Sequence, residues 1–202
     1  MEGFWNDTYI WIGVALLVIF FGVRAGGSIA RSAAKKQSAM DPLTCSELKI
    51  GQKLELDGKL DQAAKAYQQM IDRYPDCETG YLFLGYLQKK RKDFPAAEAA
   101  FRGAFRLNPE GTDALTEIAN ALWASGRADE AAETYRQVIA KAPDDPEAHA
   151  ALGSILDDAG QGEEAAAHLE KFVSLAGEKP SRRRASMLVE AKGRLERIKA
   201  KP

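Results

Sequence analysis

Between residues 44 and 179 the chain repeats itself every 34 residues, and this period restricts the possible folds more than any other feature. Segments beginning at Thr44, Glu78, Thr112 and Pro146 bring Gly51, Gly85, Ala119 and Gly153 into one column and Ala63, Ala97, Ala131 and Ala165 into another. A third column holds Ile50, Leu84, Ile118 and Leu152, and a fourth Tyr67, Phe101, Tyr135 and Leu169. Inside a unit the apolar and small positions recur at helical spacing, as in Ile118, Ala119 and Leu122, then Ala131, Tyr135 and Val138. Turns marked by Gly58, Lys92-Asp93, Gly126 and Gly160 divide each unit in two. Pro75, Pro109 and Pro143 separate the units, because a missing N–H and a fixed φ stop a helix. The pattern predicts helix, turn, helix, break, four times. Small residues at the crossings let paired helices approach until their large neighbours interlock. One such hairpin cannot bury its own apolar faces, so the four must stack around a shared core.

These columns resemble the tetratricopeptide repeat, which has small residues at its eighth, twentieth and twenty-seventh positions, an aromatic at the twenty-fourth and proline at the thirty-second. The resemblance implies an all-α fold: a solenoid of four helical hairpins (44–77, 78–111, 112–145, 146–179) and a basic capping helix and tail over 180–202. Departures gather at the ends, with Glu47 in place of a large apolar residue and Phe172 and Gly177 in place of Ala and Pro, as terminal repeats without an outer neighbour allow. Met70, Val138 and Gln88 are the internal departures.

The resemblance also implies a groove lined by the second, fifth, ninth and twelfth positions of each first helix. Carried onto this chain, the partner-binding residues are Leu48, Gln52, Leu82, Tyr86, Lys89, Thr116, Asn120 and Trp123, with Glu55, Ala150, Ser154 and Asp157 continuing the same lines. Members that clamp a chaperone's terminal carboxylate use Lys and Asn where Leu48 and Gln52 stand here, so that clamp is not expected.

Ahead of the repeats, no charged residue occurs between Tyr9 and Val23, and counting from Phe4 the apolar run reaches the about 20 residues needed to cross a bilayer. Trp5, Tyr9 and Trp11 suit an interfacial belt. The expectation is an N-terminal transmembrane anchor within 1–23, its span over 4–23, and a juxtamembrane linker over 24–43. A cleaved signal is the rival, faintly imitated by Ser28-Ile29-Ala30, but nothing basic precedes the run. Arg24, Arg31, Lys35 and Lys36 all follow the span, which predicts an inner-membrane protein with its N-terminus outside and its repeats in the cytoplasm. A periplasmic repeat domain is the alternative.

The formal charge of −1 hides an asymmetry: +2 over residues 1–40, −10 over 41–178 and +7 over 179–202. The basic tail reads as a cap, with an anionic lipid surface or an acidic partner as the other option. Cys45 and Cys77 have no CxxC or Cys/His spacing and are expected as free thiols. His149 and His168 read as structural, and paired acids such as Asp144-Asp145 as helix caps. Lys89, Lys90, Arg91 and Lys92 form a basic run without aromatic platforms, so nucleic acid is not an expected partner. No phosphate loop, HExxH or GxSxG occurs. The chain is therefore expected to be a non-enzyme without metal or cofactor. It reads as a membrane-tethered scaffold that binds a protein or peptide, as bacterial membrane-anchored repeat proteins of envelope assembly do. The alternatives are an extracytoplasmic holder of exported or cytochrome-type chains and, from another class, a metal-dependent or catalytic protein.

Overall fold

The computed structural model describes residues 46–177 and 181–200. The expected anchor and linker lie outside them. Among the described residues all regular structure is helical: α1 (Ser46–Leu56), α2 (Leu60–Arg73), α3 (Glu78–Lys90), α4 (Phe94–Leu107), α5 (Asp113–Ala124), α6 (Ala128–Lys141), α7 (Pro146–Asp158), α8 (Gly162–Leu175) and α9 (Arg182–Lys199). Each helix packs on the next, so α1 to α8 form four successive hairpins.

The turn inside every hairpin is the same structure made four times. Gly58, Gly126 and Gly160 adopt φ of 73°, 84° and 78°, and Lys92 occupies the equivalent place at 63°. The following N–H reaches back to the helix it leaves, from Lys59 to Leu54, Asp93 to Gln88, Arg127 to Leu122 and Gln161 to Leu156, at 2.8 to 2.9 Å. With the bond from the left-handed residue itself to the carbonyl three residues back, this is the Schellman arrangement, which satisfies carbonyls a helix end otherwise leaves bare. Between hairpins, Asp145 caps α7 by accepting from Ala148 N–H at 2.9 Å; inside the second hairpin, Asp93 caps α4 through Ala96 N–H at 3.2 Å.

The small column explains the tight pairing. A β-carbon added at Gly85 would lie 2.5 Å from the Phe101 ring, and one at Gly153 2.7 Å from Leu169. The aromatic column thus lies directly over the small one, and Tyr67, Phe101, Tyr135 and Leu169 are all fully buried or within a per cent of it. Stacking is equally legible. In α3, α5 and α7 the third, seventh and tenth repeat positions face the preceding hairpin, and Ala114, Ile118, Ala121, Ala148, Leu152 and Ile155 there are buried. In α1 the same positions are Ser46, Ile50 and Lys53, all exposed. The first hairpin is therefore polar where an earlier repeat would dock, apart from Ile50 at 52%. Glu47, out of pattern as an apolar position, pairs with Arg73. Phe172 is fully buried and packs with Ala150, Leu169, Ala176, Ala191 and Leu195, filling the space between the last hairpin and α9. Buried Glu98 ties hairpins together from the side, holding Arg102 at 2.6 Å and Arg127 at 2.7 Å.

Cys77 is buried and free, and Cys45 lies outside the described residues. Among the described residues no helix is long and apolar enough to cross a membrane.

Candidate functional site

The first helices of the hairpins form one face, and the structure distributes the expected partner-binding residues unevenly along it. Leu48 is buried at 2% and offers no surface, whereas Gln52 is exposed. Leu82 is partly buried against the central core. Tyr86 is 42% exposed, stacked edge-on against Phe101 at 5.3 Å between centroids, with the Lys89 ammonium 5.6 Å from its ring. Burial and the nearby Glu117 and Asp113 carboxylates push the Tyr86 phenol up, so it stays a neutral hydrogen-bonding group. Lys89 also pairs with Glu117, bridging the second and third repeats.

Thr116, Asn120 and Trp123 come together in one pocket, joined there by Ala150 and Ser154 of the fourth repeat. Asn120 is fixed in place: its Oδ1 accepts from the Tyr135 hydroxyl at 2.6 Å, and its amide lies 3.4 Å from Glu117. Tyr135, from the buried aromatic column, is thus turned into a support for a groove residue, and burial raises its phenol pKa further. Tyr67 does the same in the first repeat, donating to Glu55 at 2.8 Å. Trp123 is 37% exposed beside Asn120, so an apolar surface and a fixed amide share one wall.

The remaining wall comes from outside the repeats, from the C-terminal helix. Helix α9 packs on both α7 and α8, and it runs along the groove-facing line of the fourth repeat. Arg184 binds Glu147 at 2.6 Å through Nε, Ala191 shares a cluster with Ala150, and Arg194 reaches Asp157 at 2.9 Å and Asp158 at 2.6 Å. Glu147, Ala150 and Asp157 are the second, fifth and twelfth positions of their repeat, and Asp158 is the thirteenth. The helix does cap the last hairpin, through Phe172 and Leu195, but it also occupies the groove surface of Ala150 and Asp157. Arg183, Met187, Glu190 and Ala191 consequently line the pocket. A signal existed in the sequence, since residues 146–179 carry seven acidic and two basic side chains directly before the basic tail.

In the same hairpin, His149 Nε2 lies 3.0 Å from the Pro143 carbonyl, which can only accept, so that nitrogen carries the proton. His149 Nδ1 then accepts from His168 Nδ1, also at 3.0 Å. The pair joins α7, α8 and the preceding loop, which is a structural use of both rings.

Residues 49–112 match one family model described as tetratricopeptide repeat, and residues 90–155 and 122–188 match a second with the same description. The chain belongs to the tetratricopeptide repeat family. No curated protein matches it in sequence. Among solved structures, it is similar to the MamA protein at 21% identity and a TM-score of 0.62, over 75% of this chain and 84% of that one. It is similar also to the Yersinia enterocolitica type III secretion chaperone SycD in complex with a peptide of the translocator YopD (21%, TM-score 0.56, 60% and 91% covered). A third is YrrB, described as a tetratricopeptide protein with an unusual peptide-binding site (15%, TM-score 0.55, 77% and 86% covered). At such identities these likenesses establish a common fold and nothing finer.

Proposed function

We propose that the chain is a protein-interaction scaffold that takes a polypeptide segment in its concave groove, for the assembly or regulation of a membrane or envelope complex. One observation carries the reading: Tyr86 and Trp123 are the two exposed aromatics among the described residues, at 42% and 37%, while the other aromatics of their repeats are buried or half-buried. Flanked by Lys89, Thr116 and Asn120, they form an amphipathic strip suited to a peptide's side chains and backbone. That SycD and YrrB are described with a peptide or a peptide-binding site supports the reading by analogy of fold. Two anchors at about 1.5–3 kcal/mol each, against the cost of ordering a peptide, suit micromolar affinity.

The membrane tether over 4–23, the cytoplasmic placement of the repeats, and non-catalytic action belong to the same proposal. Tethering raises the effective concentration of the groove for partners in the same bilayer. The test is crosslinking and recovery from membranes of the native chain and of Tyr86→Ala with Trp123→Ala. Loss of a specific partner from the double variant is expected, and unchanged recovery overturns the assignment of the groove. A phosphatase reporter fused after Pro202 should be inactive, and activity would move the repeats to the other side.

A further inference from the structure

The pocket where α5, α7 and α9 meet has a volume of about 210 Å³. A cavity of roughly 150 Å³ already admits a benzene-sized group, whereas sites for drug- or cofactor-sized molecules start at about 300 Å³. The space suits one ring or one branched aliphatic side chain. Trp123, Ala150, Met187 and Ala191 supply apolar walls.

Charge on the walls is nearly all spent internally. Glu147 is held by Arg184 at 2.6 Å, and Glu190 by Arg194 at 3.2 Å. Arg183 also lines the pocket but forms no ion pair among the described residues; its field reaches Glu147, a carboxylate that Arg184 already neutralises and holds below its ordinary range. A guanidinium left in this way at an apolar opening presents a planar fork that matches a carboxylate. We propose that the pocket receives one aromatic or large aliphatic side chain of a partner polypeptide, with an adjacent acidic group bound by Arg183. The inference rests on the groove reading and specifies its ligand.

The probe is 3-(4-fluorophenyl)propanoate, which joins a ring to a carboxylate, titrated by fluorine NMR onto the 202-residue chain in nanodiscs. Saturable binding is expected. Ser154→Phe, which fills the pocket, should abolish it with the circular dichroism melt unchanged. Arg183→Gln should weaken it about 5- to 10-fold. The corresponding amide should bind the native chain as weakly as the acid binds Arg183→Gln. No saturable binding, or binding indifferent to Ser154→Phe, overturns the pocket. Equal binding of acid and amide overturns the role of Arg183. Selection of displayed random peptides on the same chain separates the two readings. Peptides lost with Tyr86→Ala but kept with Ser154→Phe leave the groove standing and sink the pocket. Fragment binding without any groove-dependent peptide does the reverse.

Discussion

Lys92 holds φ of 63° in a column otherwise occupied by Gly58, Gly126 and Gly160. A side chain in that region is strained, and glycine relieves the strain while adding unfolded-state entropy, so Lys92→Gly should stabilise the chain by about 0.5–1 kcal/mol in urea unfolding. Gly85→Ala should do the opposite, because its β-carbon would meet the Phe101 ring at 2.5 Å inside a closed hairpin. A loss of about 1–3 kcal/mol is expected in the same unfolding assay. The histidine pair sets a pH dependence. Burial, first, and His149, second, depress the His168 pKa below its ordinary 6.5, with Glu164 opposing and Arg136 adding to the shift. A depressed histidine favours the folded state fully above 6.5 and progressively loses that contribution as pH falls through its folded value. Thermal melts should therefore weaken from about pH 6.5 downward, and His168→Gln should flatten that limb. Asp144, held below its ordinary range by Lys171, and Glu147, held below by Arg184, add a separate loss only in the acid range of carboxylates.

Helices α1 to α8 were readable in advance because each of their constraints recurs. The small residue under a large apolar one and the left-handed turn appear in every repeat, and the proline break in the first three, so each column is checked three or four times over. Helix α9 belongs to no column. Its amphipathic spacing announced a helix and a cap, but its path along α7 depends on pairing between distant segments, and no period encodes that. The same limit explains Leu48: a repeat position assigns a direction, while burial at 2% depends on what else packs there. Arg194 tests the α9 assignment. Its side chain is 14% exposed, Asp157 is equally covered, and the guanidinium also meets Asp158 and the Ser154 carbonyl. Arg194→Met should cost about 1–3 kcal/mol, mostly by leaving Asp158 without its cation and Asp157 with only Arg197, at 3.5 Å. Lys199→Met, whose pair with Glu170 is exposed on both sides, should change stability little.

Taken as a whole, the repeat domain uses its two ends differently. The first hairpin ends in Ser46 and Lys53 on its outer side, and the last keeps an acidic, apolar side that α9 covers. Between them the groove runs from exposed Gln52 past Tyr86 to the pocket at Trp123, where α9 closes it. A bound segment is therefore expected to lie over the first three repeats and to stop at α9. Photo-crosslinking decides whether this face meets polypeptide. A benzophenone side chain is introduced at Thr116 in the groove, and, as a control, at exposed Gln137 on α6. The prediction is a discrete crosslinked polypeptide from position 116, suppressed by Tyr86→Ala with Trp123→Ala, and none from position 137. Equal crosslinking from both positions, or a partner captured from 137 alone, would contradict it.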